Sequence, residues 1–294
     1  MNPLAAQPSI LSAPRALGRS VTLRLLAETD PRPALKRLRE TWVPAWGIVG
    51  LGEPLVRALG ATVPGLRPFP AMAGAACGVA STQQALWIRV GADDRGAAFD
   101  RSEQMLVLLE SAFAPDEPLD VFLYAGGRDL TGYEDGTENP KEQAAIDATL
   151  VTAGAGLRHS SFVAVQKWVH DLRSFRTHPV ERRNAIFGRR VDTNEEIDDA
   201  PESAHIKRTA QEDFDPPAFM VRRSMPWATG HEQGIEFVAF GESLDRYERA
   251  LRRMVGHDDG IVDALFTFSH PVTGGYYWCP PVAGGRLDLT LLGL

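Results

Sequence analysis

The order of its segments predicts an α+β chain built from two ferredoxin-like halves. Three observations carry that prediction. Ahead of Gly126 the apolar patterns change in the order strand, helix, strand, strand, helix, strand, which is the split βαβ arrangement. The second part of the chain repeats the same logic. At 294 residues the chain is long enough to bury two such cores.

Each element has a local reason. Ser20–Leu26 is apolar and β-rich, as a strand requires, and Ala34–Trp42 has Leu35, Leu38 and Trp42 at helical spacing after prolines suited to a first turn. Ile48–Gly52 and Ala85–Val90 read as the next two strands, Arg95–Ala112 as a helix and Val121–Tyr124 as the fourth strand. In the second part, Ser161–Trp168, Phe219–Arg223, Gly234–Phe240 and Tyr276–Trp278 read as strands. Asp171–Phe175, Pro179–Phe187 and Ser243–Met254 read as helices, with loops at Asp192–Asp199 and Asp213–Pro217. The expected division is a tail over 1–19, a first half over 20–150 and a second over 151–294.

Composition narrows the function classes. Lys and Arg number 31 against 38 Asp and Glu, so the net charge of −7 gives no support for nucleic-acid binding. No apolar run approaches the ~20 residues of a membrane span. Cys77 and Cys279 lack the paired spacing of a zinc site and are too few for a disulfide scaffold, although one long-range disulfide stays open. The first nineteen residues carry neither a twin arginine nor an apolar signal core, so the expected location is cytoplasmic.

The most informative segment is Gly132-Tyr133-Glu134-Asp135-Gly136-Thr137-Glu138-Asn139-Pro140. Its glycines permit positive φ and close approach, and a carboxylate held there beside an apolar pocket is placed to exchange protons with a small substrate. A bare Asp-Gly would be read as an ordinary turn. Downstream stand His205, Arg222, Ser224 and the run Val272–Tyr277. Together these resemble the dye-decolorising peroxidases, whose hallmark Gly-x-x-Asp-Gly-Thr is met by Gly132, Asp135, Gly136 and Thr137. The resemblance extends through Trp168-Val169-His170-Asp171-Leu172 and is nearest to the bacterial short-loop branch. It implies a dimeric α+β barrel fold with haem b, one per chain, in the second half. It also implies a homo-oligomer and activity favoured by mildly acidic solution.

Site residues follow from the resemblance, each beside an ordinary alternative. His205 stands where the family places its iron ligand, with His170 as the rival; the other five histidines lie in turns or beside prolines and are expected to be solvated. Asp263 matches the acceptor that orients the ligand's second ring nitrogen, or is a helix-end carboxylate. Arg208 resembles the propionate-binding arginine, or is a surface residue. On the peroxide side, Asp135 is the expected acid–base group and Arg222 the charge donor. Alternation along a strand sends Arg222 and Arg223 to opposite faces and returns Ser224 to the face of Arg222. Ser224 stands where some relatives carry asparagine, with the expected task of holding a water or orienting Asp135. Phe237 is expected to wall the pocket, and Gly136 and Thr137 to border the cofactor.

The implied activity is reduction of hydrogen peroxide with one-electron oxidation of a small organic donor such as a dye or phenol. The alternatives are removal of iron from porphyrin, or a carrier or sensor of haem without catalysis. Tyr133, Trp168, Trp227, Tyr247, Tyr276, Tyr277 and Trp278 are chemically able to relay electrons, and no single one is singled out by the sequence.

Overall fold

The computed structural model describes residues 5–74 and 77–294. The first half follows the expected order: β1 (Leu17–Leu25), α1 (Arg32–Thr41), β2 (Gly47–Gly52), β3 (Leu86–Ala92), α2 (Arg95–Leu109) and β4 (Leu119–Phe122). The strands lie as β4-β1-β3-β2, antiparallel throughout, which is the ferredoxin-like order. α1 begins with a proline in its first turn and buries Ala34, Leu35 and Leu38 along one face. α2 is started by Asp94, whose carboxylate accepts the Ala97 N–H at 2.9 Å.

The second half contains α3 (Glu142–Thr149), β5 (Ser161–His170), α4 (Leu172–Thr177), α5 (Val180–Phe187) and α6 (His205–Thr209). It continues through β6 (Val221–Arg222), β7 (Met225–Ala228), β8 (Gln233–Gly241), α7 (Asp245–Met254), β9 (Ser269–Pro271) and β10 (Gly275–Cys279). Its main strands lie as β10-β5-β8-β7, the same order as in the first half. Two seams join the halves: β2 to β10 through Tyr277↔Gly52 and Trp278↔Leu51, and β4 to β7 through the single pair Trp227↔Val121. The sheet therefore curves round on itself without a continuous ladder at the second seam, and the α+β class holds without a fully closed barrel.

Alternation divides the side chains between two cores. Val163 and Val165 of β5, Val238 and Phe240 of β8, Trp87 and Tyr277 fill the space between the halves, with Trp87 stacked on Tyr277 at 6.0 Å. Each such fully buried side chain contributes about 1.5–3 kcal/mol. Gly50 of β2 is required because β10 lies close: a Cβ there would sit 2.7 Å from that of Tyr277. The opposite parity of β5, Ala164, Gln166, Trp168 and His170, faces the helices of the second half.

Two expectations change, and one open alternative closes. Residues 5–19 are not a loose tail, because buried Gln7 donates to Val49 O (2.8 Å) and Pro280 O (3.1 Å) and accepts from Val49 N (2.8 Å), tying both halves together. The strand expected over Phe219–Arg223 is only the two residues of β6; the chain leaves the ladder at Arg223 and Ser224 and re-enters it as β7. Cys77 and Cys279 are both free thiols, so no disulfide links them. Among the described residues no helix is long and apolar enough to cross a membrane.

Candidate active site

The hallmark loop is held by its own polar groups. After β4, Asp129 turns the chain by accepting from Thr131 N (2.9 Å) and Thr131 Oγ1 (2.5 Å). Gly132 and Gly136 have φ of +94° and +76°, where a side chain is strained, and a Cβ on Gly136 would also lie 2.8 Å from Asn139 Nδ2. Asn139 needs that space. Its Oδ1 accepts from Arg222 N (2.8 Å) while its Nδ2 donates to Arg222 O (3.0 Å), clasping the loop to β6. Tyr133 stacks on Phe187 at 3.9 Å and donates to Asn184 Oδ1 at 2.5 Å. Burial pushes its hydroxyl up to about 12, so it remains a donor.

These ties shape a cavity of about 500 Å³ between the sheet and the helical side of the second half. The sheet offers Gln166, Trp168 and His170 from β5, Arg222 from β6, and Ile235 and Phe237 from β8; α6 offers His205, and α7 offers Ala250 and Met254. Asp135, Gly136 and Thr137 line it from the loop. Thr137 accepts from Asn194 Nδ2 (3.0 Å), which fastens the loop to the following acidic segment.

His205 donates through Nδ1 to Asp263 Oδ2 at 2.7 Å, leaving Nε2 as the ring's remaining nitrogen. The Asp263 side chain is fully buried, and its other oxygen accepts from Leu265 N at 2.8 Å. The carboxylate therefore fixes both the tautomer and the ring orientation. His170 differs. Its Nδ1 meets Ser269 Oγ at 2.6 Å and its Nε2 meets Asp129 at 3.2 Å, so neither nitrogen is free to ligate a metal. Burial raises the Asp129 carboxyl, but the hydrogen bonds from His170 and Thr131 outweigh it and hold the group below its usual range. Of the histidines expected to be solvated, His231, His257 and His270 are exposed, whereas His159 and His178 are half-buried.

Arg222 brings a guanidinium to the cavity with its Nε buried and unpartnered among the described residues. Arg223 turns the other way, as alternation requires, and donates to Leu11 O at 2.6 Å. Ser224 does not follow. Because the strand is broken there, the residue does not line the cavity, and its hydroxyl accepts from Val238 N at 3.3 Å. Arg208 also departs from expectation: its buried guanidinium forks onto Asp259 at 2.7 Å twice and donates to Arg253 O at 2.8 Å. That fork holds the Asp259 carboxyl below its usual range. Besides Arg222, Arg189 lines the cavity, bonded to Glu138 (2.6 Å) and Glu196 (2.7 Å). It sits in a loop without periodicity and carried no sequence signal. Gln166 carried one, as a polar residue inside an apolar strand.

The cavity fits a tetrapyrrole with a carboxylate periphery. One imidazole has its orientation fixed and a nitrogen to spare, two buried donors, Arg222 Nε and Gln166 Nε2, lack partners among the described residues, and the volume is that of a cofactor site.

Comparison with known proteins agrees. The family model for the C-terminal part of Dyp-type peroxidases matches residues 126–284. A dye-decolorizing peroxidase from Rhodococcus erythropolis is 31% identical over 252 residues, 81% of this chain and 73% of that protein. One from Brevibacterium linens is 30% identical over 223 residues, 74% of this chain and 61% of that protein, so the match spans less than two thirds of that relative. A putative Dyp-type peroxidase structure from Shewanella oneidensis superposes with a TM-score of 0.88 at 24% identity, covering 97% of this chain and 96% of the other. A variant of DypB from Rhodococcus jostii RHA1, solved in complex with haem, gives 0.86 at 26% identity, covering 94% and 96%. With the family model matching more than half of its length and a relative 31% identical over 81% of it, the chain belongs to the dye-decolorizing, or Dyp-type, peroxidase family.

Proposed function

We propose that this chain is a haem peroxidase, reducing hydrogen peroxide to water while oxidising small organic donors such as dyes or phenols one electron at a time. The observation that carries the reading is one cavity lined by a carboxylate-oriented imidazole, a guanidinium whose Nε has no partner among the described residues, and Asp135. One haem b per chain would be held by His205 Nε2. The cation at hand for a propionate is Arg189, in place of Arg208. Bound haem supplies the iron that exchanges electrons with peroxide and donor. Gly136, Thr137 and Phe237 border it.

The protein supplies the rest. Asp263 accepts the Nδ1 proton of His205, which keeps Nε2 unprotonated and raises its basicity. Asp135 takes the proton from the inner peroxide oxygen and hands it to the outer one, which leaves as water. Arg222 places positive charge where that oxygen gains electrons. With two protons from solvent and one electron from each of two donor molecules, one peroxide is converted to two waters. The same reading includes a cytoplasmic location and a homo-oligomeric assembly.

The test is the absorption spectrum of the haem-loaded protein before and after one equivalent of hydrogen peroxide, followed by steady-state dye oxidation. A spectral change and turnover are expected. Haem that binds but neither responds to peroxide nor supports dye oxidation would replace the enzyme by a carrier.

A further inference from the structure

Gln166 is fully buried on β5, lines the cavity, and faces Phe237 across the ladder to β8. Its Oε1 receives the Trp168 Nε1–H at 3.1 Å and the Tyr247 hydroxyl in a short contact. An indole nitrogen only donates, so the atom facing it is the amide oxygen and the other end is the amine. That amine, Nε2, finds no acceptor among the described residues. Buried amide donors are ordinarily satisfied. Its neighbours on the wall offer it no acceptor as placed: Phe237 has none, the Trp168 indole only donates, and both nitrogens of His170 are engaged.

We propose that Gln166 is a ligand-binding residue of the cavity, donating through Nε2 to an oxygen acceptor that arrives with the cofactor. The acceptor is a carboxylate of the tetrapyrrole or a water or peroxide held beside its iron, so the inference rests on the haem reading above. Tyr247 and Trp168 then serve as braces that hold the amide with its donor end toward the cavity.

Gln166→Glu tests this because it retains an oxygen for Tyr247 and Trp168 and removes the donor. Gln166→Leu removes both functions. Each apoprotein is titrated with haem and with haem dimethyl ester, following quenching of tryptophan fluorescence, and the pH midpoint of the ferric absorption spectrum is recorded. If the acceptor is a carboxylate, both variants bind haem at least about tenfold more weakly, with a smaller loss for the diester. If it is water or peroxide, affinity stays while the pH midpoint shifts. Parent affinity and an unshifted midpoint in both variants, with an unchanged urea midpoint, would overturn the assignment of Gln166 alone. A parent apoprotein that takes up no haem would overturn the peroxidase reading along with it.

Discussion

Replacing Asn139 by alanine should separate the hallmark loop from β6. The side chain makes two hydrogen bonds to one residue's backbone, 2.8 Å from Arg222 N and 3.0 Å to Arg222 O. Each such bond contributes about 1 kcal/mol net, and a buried group left without a partner costs about 1–3 kcal/mol. Both Asn139 and Arg222 are half-buried, so water offsets part of the loss and a total of about 2 kcal/mol is expected. Urea unfolding of the haem-free protein should show that as a lower midpoint with an unchanged slope. The second consequence is kinetic. The clasp sets the spacing between Asp135 and Arg222, so Asn139→Ala should slow the reaction with peroxide although Asn139 itself touches no reacting atom. A variant that loses less than about 0.5 kcal/mol and reacts with peroxide at the parent rate would refute the clasp.

His205→Ala should lose haem on gel filtration, and Asp263→Asn should raise the iron reduction potential in a redox titration because the imidazole becomes less electron-rich. Asp135→Ala and Arg222→Ala should keep haem but slow the peroxide step in stopped flow, the former by about 10²–10⁴-fold. Asp129→Asn should be less stable at neutral pH by about 1–3 kcal/mol, from the weakened bonds to Thr131 and His170. The pH dependence has a definite sign. The folded carboxyl of Asp129 titrates below its unfolded value, so its stabilisation is present above about pH 4 and is lost as pH falls through the folded pKa. Acid titrations of the two proteins should converge below that point, and parallel curves would contradict the assignment.

What the sequence disclosed and what it hid have separate physical causes. The loop from Gly132 to Pro140 was legible because positive-φ glycines and a clasping asparagine leave few other choices of residue. His205 and Asp263 were legible only through the family pattern, since the bond between them joins distant segments. Ser224 was misplaced because alternation presumes an unbroken strand, and the ladder stops at Arg222. β7 went unread because Pro226 argues against a strand, although it pairs with Ile235 all the same. Arg208 was placed by the resemblance alone, which says nothing about Asp259, a partner the chain folds back to offer.

The position of the cavity follows from the difference between two similar halves. In the first, the crossover from β1 to β2 carries one continuous helix, and Leu35 and Leu38 press into the core with Met105 and Leu109 of α2. In the second, the crossover from β5 to β6 is broken into α4, α5 and the five-residue α6 with loops between them. The space a continuous helix would fill is left open. An empty apolar cavity of about 500 Å³ would cost about 12 kcal/mol at ~24 cal/mol per Å³, comparable with the whole stability of a domain. The protein avoids much of that cost by opening the space to solvent, with polar groups set into a mostly apolar lining. The broken crossover and hallmark loop are held by polar ties: Asn139 to Arg222, Tyr133 to Asn184, Arg189 to Glu138, and Asp129 between Thr131 and His170. Such ties specify geometry more sharply than apolar packing but stabilise less. Among the buried donors without partners in the described residues, those on Arg222 and Gln166 belong to residues of the cavity wall, where a bound polar group would satisfy them.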